Sequence, residues 1–332
     1  MKTVSRVVNR EPNVREATKA IVEAAIAELN YRPNPSARNL ASHRAHIIGL
    51  IYDDPSAYEV PSAGYVVNMQ QGALSSCRNS HYELLIHPCD YRKRNIDREI
   101  EEIIEYARPA GIILAAPLSD MPRIVRAIEA TNTPMIRLSP GRPKPNERCV
   151  VTNDREISAE MTEYLASLGH EKIAFITGHP SHKAVTNRFA GFKDGMRRSG
   201  LKVSEQLVVS GDNSFGSGEI AAEQLLRRKQ RPTAIFAAND DMAAGVIRVA
   251  NRFGIEVPTE LSIAGFDDIA LARLVFPNLT TIQQPLTAMA ERAAFILIEG
   301  AANGTNGTEV VPASIVIRES TGPVPANQGS PE

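Results

Sequence analysis

Tryptophan is absent, and aromatic residues make up only 5% of the 332. A large stacking surface is therefore not expected. Cysteine occurs only as Cys77, Cys89 and Cys149, an odd count with no CxxC pair and no nearby histidine cluster. Neither a disulfide framework nor a zinc site follows, and reduced thiols are the default reading. No apolar run approaches the roughly 20 residues that span a bilayer; AGIILAAPL is among the longest. The N-terminus has no apolar h-region of the kind that marks a signal peptide. A soluble cytoplasmic chain without a membrane partner is expected, and the sequons at Asn278, Asn303 and Asn306 read as chance. The phosphate-cradling G-x-x-x-x-G-K-[ST] and the G-x-G-x-x-G, G-x-S-x-G and H-E-x-x-H patterns are all missing. No enzyme, metal or cofactor is predicted on that basis. His179 and His182 lack a metal-like partner set and read as lining a loop or a cleft.

What is present is an ordinary globular composition, 43% hydrophobic and 23% charged, long enough for two or three compact units. The net charge of −1 is unevenly spread. Lys2, Arg6, Arg10, Arg15, Lys19, Arg32, Arg38 and Arg44 outnumber Glu11, Glu16, Glu23 and Glu28, so the first 46 residues carry +4 and the rest −5. A basic end on a mildly acidic body suggests a nucleic-acid arm on a different kind of domain.

Past residue 46, short apolar runs alternate with helical patterns. IIGLIY, YELLIH, GIILAA, MIRL, KIAFITG, AIFAAND and LSIAGFDD are the runs. Helical patterns lie near residues 97–107, 157–168, 188–199 and 241–253. This alternation predicts βαβ units with parallel sheets, an α/β fold. Seven or more units exceed one comfortable sheet, so two similar Rossmann-like subdomains are expected. The Pro-rich stretch SPGRPKPNER (residues 139–148) reads as a surface connection near their border. The tail at 323–332 reads as disordered.

The N-terminal segment differs. Val22, Ala25, Ile26 and Leu29 fall at i, i+3, i+4 and i+7, one apolar face of a helix over 15–31. Asn30 and Pro33 end it. A second short helix is expected in NPSARNLASHRAH (34–46), ordered only by a partner.

TVSRVVN (3–9) followed by AIAELNYRPNPSARNLA (25–41) resembles the second half of a lactose-repressor (LacI/GalR) family headpiece with its hinge helix. LGHEKIAFITG, RFAGF, AANDDMAAG, VPTELSIAGFDD and PNLTTIQQP follow in the family's order, so the likeness covers nearly the whole chain. The resemblance implies a dimeric, effector-controlled DNA-binding repressor whose body has the type I periplasmic-binding-protein fold; the alternative is a cytosolic small-molecule sensor that does not bind DNA because its headpiece is truncated. Its boundaries are a partial helix-turn-helix headpiece with hinge at 1–45 and an effector-binding, dimerising body at 46–322. An N-subdomain is expected at about 46–160 and 286–312, a C-subdomain at about 161–285 and 313–322. Family headpieces open with a helix that precedes TVSRVVN, and this chain starts at Met1, so that first helix is expected to be lacking. The implied partners are a pseudo-palindromic operator, a sugar-like effector and a second copy of the chain.

Ligands in open α/β sheets collect at the carboxyl ends of strands. By motif position, Arg188, Asn239, Asp267 and Gln284 match the family's effector contacts, and Asp53 follows the first strand from the opposite subdomain. Arg188 would donate a planar fork and Asp267 would accept from paired hydroxyls. Asp240 could equally cap a helix, Gln284 could only satisfy backbone at a crossover, and Asp268 and Phe266 read as structural. Asn213 stands where relatives often place an aromatic residue, which weakens the case for a sugar. On the DNA side, Arg6 fills the place of a guanine reader, and Ser5 and Asn9 would position the backbone. Asn34 and Arg38 in the hinge join them. Leu40 matches the family's minor-groove wedge, or would anchor the hinge to the body.

Overall fold

Every strong apolar run past residue 46 becomes a short strand, and all but the edge strand formed by YELLIH are largely buried because helices cover both faces of each sheet. The computed structural model describes residues 2–8, 14–29, 46–54, 64–300 and 307–324. The chain divides into two units, 1–46 and 47–332.

In the first unit, α1 (Lys2–Val8) and α2 (Glu16–Glu28) are described. Val7 is buried, whereas Val4 is exposed. The apolar face expected on α2 is only half covered. Val22 and Ile26 are half-buried, while Ala25 and Leu29 are exposed. A unit this small has little apolar surface with which to cover a helix face. The short hinge helix expected in 34–46 lies outside the described residues, except for His46 at its end.

The second unit holds two six-stranded sheets. The first has the order β11-β5-β4-β3-β1-β2. Its strands are β1 (Ile47–Asp53), β2 (Glu83–Cys89), β3 (Gly111–Ala115), β4 (Met135–Leu138), β5 (Cys149–Val151) and β11 (Thr308–Val310). All of its pairings are parallel. Because side chains alternate across a strand, β1 feeds two cores. Ile48, Leu50 and Tyr52 pack with α3 (Gly64–Asn79) and α10 (Leu286–Glu299). Ile51 points the other way, toward α4 (Ile96–Ala107) and α5 (Pro122–Ala130). The isoleucines at 96, 100 and 104 recur every fourth residue and form the buried stripe of α4.

The second sheet has the order β12-β10-β9-β8-β6-β7. It comprises β6 (Ile173–Thr177), β7 (Val208–Ser210), β8 (Ala234–Ala237), β9 (Ser262–Asp267), β10 (Thr280–Gln283) and β12 (Ser314–Val316). Only the β10–β12 pair is antiparallel. The helices α6 (Asp154–Ser167), α7 (Lys183–Arg198), α8 (Phe215–Leu226) and α9 (Asp240–Arg252) belong to it. Phe175 stacks on Phe192 at 4.9 Å and meets Phe236 edge-on at 5.3 Å, filling the centre of this core. Gly191 in the RFAGF segment and Gly195, one turn further on, let α7 lie directly on α6. A Cβ at Gly191 would collide with the carbonyl oxygen of Arg155.

Three crossings join the sheets: β5 to α6, β10 to α10, and β11 to β12. The first is at Thr152–Asn153, and α6 beyond it packs with the second sheet's α7. The first and third crossings are laced together, since Thr152 Oγ1 donates to the Val311 carbonyl at 2.8 Å and Ala313 N donates to Asn153 Oδ1 at 2.8 Å. The 139–148 segment connects β4 to β5 within one sheet, yet it touches the other subdomain. Asn187 Nδ2 on α7 donates to the Gly141 carbonyl at 3.0 Å. Among the described residues, no helix is long and apolar enough to cross a membrane.

Candidate functional site

The carboxyl ends of β1, β3, β4, β8, β9 and β10 face a cavity of about 140 Å³ between the two sheets. Asp53, Arg188, Asn239, Asp267 and Gln284 all line it. The five body residues singled out in the sequence are thus brought to one place, with Asp53 on the first subdomain's side.

Arg188 organises the floor. Its Nε donates to Asp154 Oδ1 at 2.9 Å, Nη1 to the Ala238 carbonyl at 2.6 Å and Nη2 to Gln284 Oε1 at 3.1 Å. The guanidinium lies 3.6 Å from the centre of the Phe266 ring and 3.3 Å from Asp267 Oδ1. Phe266 is fully buried and serves as the surface on which this cation rests. Much of the planar fork expected to grip a ligand is therefore already committed to protein. The unmet hydrogen-bonding capacity lies in its neighbours: Asp267 Oδ1 and Gln284 Nε2 are buried without a hydrogen-bond partner among the described residues. Unpaired buried polar atoms are costly, and an acceptor beside a donor on one cavity wall matches a hydroxyl-rich ligand.

Asp267 is held in a strained backbone, at φ +116°. Such strain persists where the surrounding structure imposes it, often at a ligand site. Burial pushes its carboxyl up to about 7 against the opposing pull of Arg188, with Asp241 and Asp154 adding to the rise. Burial also raises Asp154 and raises Asp240 well above the usual carboxylate range, helped by Asp267. Burial lowers the His182 imidazole to about 4, assisted by His179 and Arg188.

Two sequence readings resolve at α9. Asn239, not Asp240, is the N-cap: its Oδ1 accepts from Met242 N at 3.0 Å, while its Nδ2 donates to the Asn213 carbonyl at 2.8 Å. Asp240 is instead the first helical residue. It accepts from Thr281 Oγ1 at 2.5 Å and Ile269 N at 3.0 Å, tying the end of β9 to β10. Asp268 is structural, gripped by Arg318, Arg273 and Gln283.

Several lining residues carried no signal in the sequence. Tyr52 and Tyr65 supply aromatic surface from the first subdomain. Burial and the Asp267 carboxylate push the Tyr65 hydroxyl up to about 12. Met69, Ser139, Asp212 and Asp241 complete the polar and apolar walls, and His182, which the sequence placed in a loop or a cleft, lines the cavity.

On the other unit, Arg6 is exposed on α1. Ser5 lies on the same helix, and Asn9, Asn34, Arg38 and Leu40 lie outside the described residues.

Comparison with known proteins gives a consistent picture. Residues 1–34 match the model of bacterial regulatory proteins of the lacI family, and residues 162–321 match the periplasmic binding protein-like domain. The chain is 32% identical over 303 residues to the HTH-type transcriptional regulator GalR of Escherichia coli, covering 91% of this chain and 85% of that one. It is 32% identical over 299 residues to the ribose operon repressor of the same organism, covering 89% and 88%. Among solved structures it is similar to the lac repressor dimer bound to operator and the anti-inducer ONPF, with a TM-score of 0.79 and 27% identity over 97% and 95% of the two chains.

Proposed function

The chain belongs to the lacI family of bacterial regulatory proteins, and from that premise we propose that it senses a neutral, sugar-like metabolite in the cytoplasm through the cavity built on Arg188 and Asp267. It is a DNA-binding transcriptional regulator of the repressor type, not an enzyme, and works as a homodimer on operator DNA under the control of a small-molecule effector. The finer reading rests on one observation: among the described residues Asp267 Oδ1, ion-paired with Arg188, and Gln284 Nε2 are both buried without a hydrogen bond. Hydroxyls of a bound polyol would satisfy both. Asp53, Asp212, Asp241 and Asp267 line the cavity together with a single arginine that already faces two carboxylates. That balance disfavours a phosphorylated or carboxylated ligand, and Tyr52 and Tyr65 offer apolar faces to a sugar ring.

Ligand-dependent control requires unequal affinity for two states of the body. Closure of the subdomains on the ligand supplies such states. Ser5, Arg6 and Asn9 would read or position operator DNA, with Asn34, Arg38 and Leu40 in the hinge segment.

The test is a calorimetric panel of neutral monosaccharides, their glycosides, nucleosides and sugar phosphates, followed by gel shifts on DNA from upstream of the gene. One neutral class should bind once per chain and change operator affinity. Asp267→Ala and Gln284→Ala should each weaken that binding. A sugar phosphate as the tightest ligand, or binding indifferent to both substitutions, would overturn the reading.

A further inference from the structure

His87 and Cys89 sit two residues apart on β2, so their side chains leave the same face of the strand. That face looks onto α4, where Cys89 packs with Ile96 and Ile100. Glu99 lies in the first turn of the same helix. The fold thereby gathers an imidazole nitrogen, a thiol sulfur and a carboxylate oxygen whose atoms all lie within 4.8 Å of one another. The linear sequence hides this cluster, because its members share no zinc-motif spacing and meet only when β2 docks against α4.

We propose that His87, Cys89 and Glu99 form a binding site for a zinc-type divalent cation, with water in the fourth position. The donor set is the first argument. Imidazole nitrogen, thiolate and carboxylate are the three ligand types that zinc takes, and two anionic ligands balance its charge. The geometry is the second. Tetrahedral zinc with ligands at about 2.0–2.1 Å separates nitrogen and oxygen donors by about 3.3 Å, and His87 Nε2 stands 3.6 Å from Glu99 Oε1.

Partner accounting is the third argument. His87 Nε2 is a buried atom without a hydrogen bond among the described residues. Among the described residues, the Cys89 thiol's one hydrogen-bonding contact is to the His87 carbonyl at 3.9 Å. Glu99 is steadied through its other oxygen, Oε2, by Lys93 Nζ at 3.4 Å, which leaves Oε1 toward the cluster. Cys89 is buried, while His87 and Glu99 keep 21% and 30% of their side chains exposed, a route for an ion from solvent.

A thiol gives up its proton when it becomes a metal ligand, so uptake of the ion releases one proton as the sulfur–metal bond forms, and apparent affinity rises with pH. The segment from Cys89 to α4 carries Tyr91, whose N–H reaches Asp53 at 3.4 Å and whose ring meets His179 across the cleft at 6.1 Å. An ion here would fasten a segment that touches the cleft.

The test is a cobalt titration of the full-length, tag-free, reduced protein. One Co²⁺ per chain should bind, with a thiolate charge-transfer band and tetrahedral visible absorption, and zinc should displace it. Cys89→Ala should abolish the thiolate band. His87→Gln and Glu99→Gln, at partly exposed positions, should keep the parent circular dichroism and weaken zinc binding by at least about tenfold, the lower end for losing even an outer-shell partner. No stoichiometric binding, a spectrum without the thiolate band, or parent-like affinity in both glutamine variants would overturn the proposal and leave a His–Glu pair beside an inert thiol.

Discussion

Removing the guanidinium of Arg188 while keeping its bulk, as Arg188→Met, isolates what this residue contributes. Its side chain is 7% exposed, as is that of Asp154, and Asp267 is 8% exposed. Breaking a buried ion pair from one side costs about 3–5 kcal/mol, because the remaining charge has no compensation. Here two carboxylates are left behind, and both have an escape by protonation. Burial already raises both, with Arg188 the main opposing influence, so its loss lifts them further. A carboxyl whose folded pKa is raised contributes stability that is fully present below its unfolded pKa, near 4, and lost as pH rises through the folded value. The penalty of Arg188→Met should therefore approach about 3–5 kcal/mol at pH 8 and shrink toward pH 5. Urea denaturation followed by far-UV circular dichroism at pH 5, 6.5 and 8 measures it; with no tryptophan in the chain, indole fluorescence is not an option. Adding Asp154→Asn should recover part of the loss at pH 8, as coupled neighbours do. A penalty below about 1 kcal/mol at pH 8, or one that does not change with pH, would refute the reasoning.

Three further outcomes follow from the same geometry. His182, lowered to about 4, opposes Asp267: the folded state refuses a proton that the unfolded state takes up as pH falls from 6.5 to 4. His182→Gln should thus gain stability over the parent at pH 5 but not at pH 7.5, which thermal denaturation at the two values checks. Gly191→Ala forces a methyl group into the α6–α7 contact and should cost about 1–3 kcal/mol or more, an overpacking penalty; an unchanged melting temperature would contradict the packing described. Arg6→Ala should lose about 1–3 kcal/mol of operator affinity if the side chain reads a guanine. In competition gel shifts, an equal loss on unrelated DNA would reassign it to a phosphate.

The strand nuclei of both sheets were legible because parallel strands covered on two faces appear as unbroken apolar runs, as in β3, β8 and β9. Strands of three residues, such as β5, β7, β11 and β12, are too short to show a period. The cavity-lining positions Arg188, Asn239, Asp267 and Gln284 were readable from motifs. What those residues do was not, because it depends on distant partners: Arg188 meets Asp154 from 34 residues away and Gln284 from 96. The capping assignment at α9 slipped by one residue for a similar reason. Asp and Asn both cap well, and only the burial of Asp240 against Thr281 and Ile269 decides which of them does so. Tyr52 and Tyr65 carried no local pattern, and the His87–Cys89–Glu99 cluster exists only once β2 and α4 are docked.

The three crossings between the sheets, two of them laced together, constrain how this body can move. One strap would allow the halves to twist and slide freely. Three straps, two of them stitched through Thr152, Asn153, Val311 and Ala313, cannot all accommodate a slide at once. They leave a rotation about a line through the straps as the cheap displacement. Gln284 sits on the middle strap and holds Arg188. A ligand that competes for that glutamine therefore acts on the axle of the rotation, not on its rim. Ligands of different shape would then be read as different values of one angle, so a series of analogues could be ordered along a single coordinate.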